Sequence, residues 1–290
     1  MTPSRLAGFS CSWSDRAAVV LSVKVPSEDA LVVGAFERAR SGAVRRGSGG
    51  ASAHVGPGSV WLSLSLPSPA SLVPCTADKL VNRHVRPLLR ALTKTTSLPA
   101  SYFGRDWISM KQRPVGLVAF AHEAATGRSV FEAIVAVSTP FATARASFIG
   151  KAPATLEELA GRSIVPSVLA HAIAEASGIP DAVVGDGPTV IEPPEPPWSA
   201  TREEAMGTLG AGRDASGRLR LGGDLMASTD AVRRLEDGVA ALPADAPPDA
   251  FGALVEEAFT TRGAVLFGVR SLASIRDVLV EAARLGAPRP

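Results

Sequence analysis

The sequence predicts an α+β protein built on an antiparallel or mixed sheet, and three observations predict it. First, strand-like runs follow one another across short turns. Asp106–Met110 and Val115–Phe120 flank the turn Lys111–Pro114, and the strongly apolar run Val130–Val137 comes next. Strands joined this closely pair antiparallel, whereas a Rossmann unit needs a helix between parallel neighbours. Second, helical spacing recurs between the strands, as in Leu80, Val81, Val85, Leu88, Leu89 and Leu92. Third, Pro193-Pro194-Glu195-Pro196-Pro197 is a stiff, extended segment of the kind that links domains. It predicts a large domain over 1–185, a linker over 186–200 and a small α+β accessory domain over 201–290.

Each element has its local reason. Ala17–Val25 and Ala30–Phe36 read as strands around the turn Pro26-Ser27-Glu28-Asp29. Trp61–Leu66 is a strand ended by Pro67 and Pro69. Ala77–Leu92 is a helix in which Pro87 predicts a kink or two short helices. Thr155–Leu159 opens a short helix with Thr155 and Glu158 as a capping box. Val165–Ser177 is a helix with Pro166 at its start and Gly178 after its end. Beyond the linker, Arg218–Leu221 reads as a strand. Ala231–Ala241, Ala250–Phe259 and Ser271–Leu285 read as helices, and Ala264–Val269 as a strand or apolar turn.

Composition excludes several function classes. The chain has 290 residues, 46% hydrophobic, and a net charge of +2, so it carries no strong nucleic-acid footprint. The charge is uneven. There are 19 basic and 13 acidic residues before residue 191, and 11 basic and 15 acidic from it onward. A basic first part facing a nucleotide or an acidic partner fits this, and a chance asymmetry fits it nearly as well. Two cysteines, Cys11 and Cys75, make neither a disulfide framework nor a metal pair. No apolar run reaches membrane-spanning length, and no signal peptide is evident. The expectation is a cytoplasmic protein with no nucleic-acid and no membrane partner.

The chemistry concentrates in Arg45-Arg46-Gly47-Ser48-Gly49-Gly50-Ala51-Ser52-Ala53-His54, followed by the alternating strand Ser59–Leu66. Glycines admit close backbone approach, bare N–H groups form anion nests, and arginine offers a planar fork to carboxylate or phosphate. The segment reads either as an anion cradle or as a glycine-rich turn with solvated arginines. As a cradle it lies at a site edge, so Gly49→Val is expected to remove ligand binding and spare the fold.

Arg45-Arg46-x-Ser48-Gly49-Gly50 resembles the signature of the lipoate–protein ligase A family, within the wider biotin and lipoate ligase group. Gly58 and Ser63 stand where that family has a glycine and a serine. Gly104-Arg105-Asp106 resembles its glycine-arginine-asparagine motif, and Gly222-Gly223-Asp224-Leu225-Met226 resembles the start of its accessory domain. The resemblance implies a class II synthetase or biotin-ligase-like core: a mixed sheet with flanking helices. It implies attachment of lipoate or a related medium-chain acid to a carrier-domain lysine through an acyl-adenylate. ATP, Mg2+ and lipoate or lipoyl-AMP would be the small molecules. A lipoyl carrier domain of a 2-oxoacid dehydrogenase or a glycine cleavage protein would be the partner. Arg45, Arg46, Ser48, Gly49, Gly50, Ala51, His54, Arg105 and Asp106 would bind ligand.

The sequence also departs from that pattern. The family's lysine falls on Pro114, leaving Lys111 and Arg113 as stand-ins from the same turn. The family's third glycine is Ala51, the asparagine beyond it is Ser59, its tyrosine-histidine-aspartate falls on His54-Val55-Gly56, and its histidine-histidine-glycine on Val130-Phe131-Glu132. These departures bring in two rivals: a non-catalytic relative that binds an acyl ligand or carrier domain, and an ATP-independent acyltransferase. His54 reads as a ligand contact or a solvated turn residue. Arg105 and Asp106 close a pocket or pair with each other. Cys75 is a nucleophile or a plain loop residue.

Overall fold

The structure, a computed structural model, describes residues 18–140, 148–184, 193–243 and 245–285. Its centre is a seven-stranded mixed sheet. The strands in chain order are β1 (Val20–Lys24), β5 (Ser59–Leu66), β6 (Ala100–Tyr102), β7 (Trp107–Met110), β8 (Arg113–His122), β9 (Ser129–Ala136) and β10 (Val183–Val184). In space the order is β10-β1-β5-β9-β8-β7-β6. Every pairing is antiparallel except β1 with β10. Three further short strands, β2 (Ala30–Val33), β3 (Ala43–Arg45) and β4 (Ala53–Val55), form a separate small sheet.

Strand alternation decides what each face of the large sheet buries. Val60, Leu62, Leu64 and Leu66 of β5, with Phe131, Ala133 and Val135 of β9, pack with α1 (Leu80–Thr96), α2 (Leu156–Ala160) and α3 (Pro166–Ser177). Trp61, Ile134 and Ala136, of opposite parity, pack with Val32, Val44, Ala53 and Val55 of the small sheet. Glu132 shares the parity of Ile134 and is 1% exposed.

α1 is one helix of 17 residues across Pro87, so the expected division into two short helices does not occur. Its buried stripe of Leu80, Val81, His84, Val85, Leu88, Ala91 and Leu92 holds it against α3 and the sheet, which outweighs the missing hydrogen bond. The capping box at α2 is half formed. The Thr155 hydroxyl accepts from the Glu158 N–H at 3.1 Å, while the Glu158 carboxylate turns away to Arg113.

The C-terminal part is a three-stranded antiparallel sheet, β11 (Ala200–Glu204), β12 (Gly207–Arg213) and β13 (Leu219–Gly223), covered by α4 (Thr229–Ala240), α5 (Pro248–Thr260) and α6 (Leu272–Leu285). A two-stranded pair, β14 (Met226–Ala227) with β15 (Leu266–Phe267), lies beside β8. β11 and β12 escape periodicity analysis because β11 is mostly exposed and β12 is glycine-rich. Part of the predicted linker, 185–192, lies outside the described residues. Pro193, Pro194, Pro196 and Pro197 are exposed with no regular structure.

Candidate functional site: a glycine seam and an apolar cavity

The Arg-Arg-x-Ser-Gly-Gly turn leaves β3 and runs into the interior. Its polar groups are met from within the protein. The Ser48 N–H donates to Glu132 Oε2 at 2.7 Å, the Gly49 N–H to the Phe120 carbonyl at 3.0 Å, and the Gly50 N–H to the Leu225 carbonyl at 2.8 Å. Arg46 is 2% exposed. Its Nε donates to Ser48 Oγ and the Gly49 carbonyl, and its Nη2 to the Gly49 and Ala51 carbonyls at 2.6 and 2.9 Å. Burial lowers its pKa, and the carboxylates of Glu132, Asp224 and Asp106 act in the opposite direction. Arg45 donates to the carbonyls of Gly34, Ala35 and Glu37 and pairs with Glu195 at 2.6 Å.

The glycines serve close approach between the two parts of the chain. A Cβ on Gly49 would stand 2.2 Å from the Leu225 carbonyl oxygen, and one on Gly222 would stand 1.8 Å from that of Phe36. The Gly223 N–H donates to the Phe36 carbonyl at 3.0 Å. Phe36 itself belongs to the C-terminal core. Trp198 completes this seam: its Nε1 donates to Glu37 Oε1 at 2.8 Å, and the Arg38 guanidinium lies 4.2 Å from its ring centroid. The expectation that Gly49 sits at a site edge outside the core is therefore corrected, because bulk at residue 49 meets backbone.

Glu37 gives the seam a pH signature. Burial holds its carboxyl above the ordinary 4.5; the Arg38 N–H bond opposes this and Asp224 reinforces it. An acid whose pKa is raised on folding favours the folded state below its unfolded pKa, and loses that contribution as pH rises through the folded value. Both donors, Arg38 N–H at 2.7 Å and Trp198 Nε1, use Oε1, which glutamine keeps. Glu37→Gln is expected to match wild-type thermal stability near pH 4 and exceed it at pH 7. Scanning calorimetry at the two pH values checks this, and a deficit at pH 7 contradicts it.

A cavity of about 310 Å³ lies behind the turn. Its walls come from the start of α1 (Lys79, Val81, Asn82), the β6–β7 turn (Tyr102, Gly104, Arg105), Phe120 of β8, and Met206, Met226 and Phe267 of the C-terminal part. Phe120 and Phe267 meet edge to face at 5.6 Å, and the Met226 thioether accepts from the Phe120 N–H at 3.3 Å. Phe120 and Met226 also touch the glycine turn, so turn and cavity share a wall. Lys79 and Arg105 are the cations of the lining. Burial pushes the Tyr102 phenol up, with the Asp106 charge adding to it.

Of the residues expected at the site, Arg105 alone lines this cavity, while Asp106 is buried at 2% exposure behind it. Ser48 and Ala51 are buried in the turn, and His54 is exposed on β4. Lys111 and Arg113 lie elsewhere. Their turn joins β7 to β8, with positive φ at Lys111 and Gln112. Lys111 Nζ donates to the Leu159 carbonyl at 2.9 Å; Arg113 donates to the Ala152 and Pro153 carbonyls and pairs with Glu158. Phe120 lies seven residue steps along the strand from Arg113, roughly 23 Å at the usual rise. A lysine at Pro114 would share that distant end. Cys75 sits 3.9 Å from His84 Nε2, with Pro69 O as acceptor for both side chains. Desolvation raises the thiol pKa, against the activation a nucleophile needs. Cys11 lies outside the described residues.

Sequence reading missed Glu132, Asp224, Phe120, Met226 and Phe267. One signal was available: Glu132 is the single charged residue in the apolar strand β9, and a buried charge needs partners. The apolar members gave none, because Met226 and Phe267 reach the cavity only through tertiary packing.

No protein-family description matches this sequence, and no curated protein matches it either. Solved structures do. A structure of P. falciparum LipL1 in complex with lipoate superposes with a TM-score of 0.55 at 12% identity, over 92% of this chain and 88% of the other. Lipoate-protein ligase A bound with ATP gives 0.46 at 13% identity, over 64% and 84%. Biotin protein ligase from Aquifex aeolicus gives 0.33 at 16% identity, over 42% and 52%. This chain shares the α+β fold of the LipL1 structure, a large mixed sheet with flanking helices. Among the described residues no helix is long and apolar enough to cross a membrane, and no cluster of three or more His, Cys, Asp or Glu could hold a metal.

Proposed function

We propose that this protein binds a medium-chain or lipoyl carboxylic acid in the cavity between α1, the β6–β7 turn and Met226–Phe267, and does not activate it with ATP. The cavity's chemistry carries the reading. Val81, Phe120, Met206, Met226 and Phe267 suit an apolar chain, and Arg105 suits its carboxylate, with Lys79 shared between that carboxylate and Asp78, its ion-pair partner at 3.3 Å in the same lining. The structure named for LipL1 holds lipoate on the same fold. The glycine turn does not fit ATP or Mg2+. Its N–H groups already have protein acceptors, and Arg46 is enclosed. No adenylation step is therefore derived. A carrier domain remains the proposed partner: Phe103, 71% exposed, precedes Arg105 by two residues in the turn that borders the cavity, where an acidic acylated domain would dock. The division at the proline segment, 1–185, 186–200 and 201–290, and a cytoplasmic location belong to the same proposal.

Titrating octanoate and lipoate by calorimetry tests it. The Lys79→Ala/Arg105→Ala double variant is expected to bind at this cavity about tenfold more weakly or worse, since a charge-assisted hydrogen bond is worth ~1.5–3 kcal/mol. Incubation with ATP, lipoate and a lipoyl-domain acceptor is expected to leave the acceptor mass unchanged. A lipoylated acceptor would overturn the ATP-independent part, and binding insensitive to both alanines would overturn the cavity assignment.

A further inference from the structure

The C-terminal part contains a second cavity, of about 360 Å³, between the β12–β13 hairpin and the ends of α4, α5 and α6. Its volume lies in the usual range for small-molecule sites, about 300–1,000 Å³. Its floor is apolar: Leu219, Val239 and Phe251 are buried core residues that also line it, and Leu242 adds to the wall. Its polar side is the hairpin, with Arg213 and Arg218.

The two arginines are not fully used by the protein. Arg213 is exposed, and its Nη1 donates to the Gly217 carbonyl; among the described residues no carboxylate pairs with it. Arg218 pairs through Nη2 with Asp237, and its Nε is buried without a hydrogen-bond partner. A guanidinium with spare donors beside an apolar hollow matches a ligand with an anionic head and an apolar body. The carbonyl end of α4 supplies Val239 and Ala240 to the wall and disfavours an anion there. The head group therefore belongs at the hairpin and the body against the helices.

We propose that this cavity is a second binding site, for a small amphipathic carboxylate of the octanoate type, lodged wholly in the C-terminal part. It shares no residue with the first cavity, so it stands independently of the reading given for that one.

Octanoate titrated calorimetrically into the full chain tests it. Two molecules per chain are expected. Ala240→Trp, made at an exposed position of the cavity wall, is expected to leave one. Arg213→Ala, also exposed, is expected to weaken the same site by about tenfold, the equivalent of ~1.4 kcal/mol, with an unchanged melting temperature. The Lys79→Ala/Arg105→Ala variant is expected to retain the site that Ala240→Trp removes. If Ala240→Trp changes neither stoichiometry nor affinity, the inference is wrong and the first cavity is untouched by the result. If the only octanoate bound is the one that Ala240→Trp removes, this inference holds and the first-cavity reading fails. Binding unaffected by Arg213→Ala would overturn the assignment of the head group to the hairpin.

Discussion

Gly49→Val is expected to destabilise the whole chain by about 3 kcal/mol or more, at the upper end of overpacking substitutions. The added Cβ would stand 2.2 Å from the Leu225 carbonyl oxygen and 3.1 Å from the Met226 Cα, both backbone atoms that cannot swing aside. Relief requires pulling the Asp224–Met226 segment away from the turn. That breaks the Gly50 N–H bond to Leu225 and the Met226 contact with Phe120. Loss of ligand binding would follow, but as a consequence of an opened seam. Gly252→Ala is the matching control. Gly252 lies inside α5, and its Cβ would meet only the Arg276 side chain at 3.5 Å. Helix propensity then predicts a gain of ~0.5–1 kcal/mol. Urea unfolding of both variants checks the contrast; a Gly49→Val midpoint equal to wild type would show that residue 49 is free after all.

The second large effect is expected at Arg46. Arg46→Met keeps the side-chain volume and removes a fully enclosed cation from among Glu132, Asp224 and Asp106. Breaking a buried ionic group from one side costs roughly 3–5 kcal/mol, because the remaining charge is left in a medium that solvates it poorly. The Gly49 and Ala51 carbonyls lose their donor as well. Arg46 is not ideally satisfied in the wild type, since its Nη1 is buried without a hydrogen-bond partner. That orphan donor reduces the net value of the cation and leaves the sign unchanged. Adding Glu132→Gln to Arg46→Met should return part of the loss, because the neutral amide leaves no uncompensated charge and its one oxygen can still accept from the Ser48 N–H, while the Trp61 Nε1 bond to the other carboxylate oxygen is given up. A double-mutant cycle in urea measures this coupling. Additive losses would mean that Glu132 and Arg46 are energetically independent.

Much of the fold was legible because it rests on local patterns. The runs at Trp61–Leu66, Val115–Phe120 and Val130–Val137 became the central strands β5, β8 and β9, since alternating or continuous apolar residues can be buried only in a sheet interior. Thr155 and Gly178 end helices as their chemistry requires: a hydroxyl for a free N–H, and a residue tolerant of positive φ. The candidate site was legible only in part. Arg105 lines the cavity because its motif lies in the turn that borders it. Lys111 and Arg113 were expected at the site because they are near Pro114 in sequence, yet strand β8 carries that turn to the far end of the sheet.

The sequence by itself determined which residues could approach closely, which could be charged and which must be buried. Gly49 and Gly50 could admit a close approach and Arg46 could be charged, but a cradle and a plain turn with solvated arginines fitted them alike. Only the tertiary structure decided what approaches them. The turn receives the Leu225 backbone, the Phe120 carbonyl and the Glu132 carboxylate, from residues 71 (Gly49 to Phe120) to 175 (Gly50 to Leu225) positions away along the chain. A bare N–H has the same propensity to bind an external anion or an internal carbonyl. The outcome is set by which acceptor the folded chain holds at hydrogen-bond distance, and no local pattern encodes that choice.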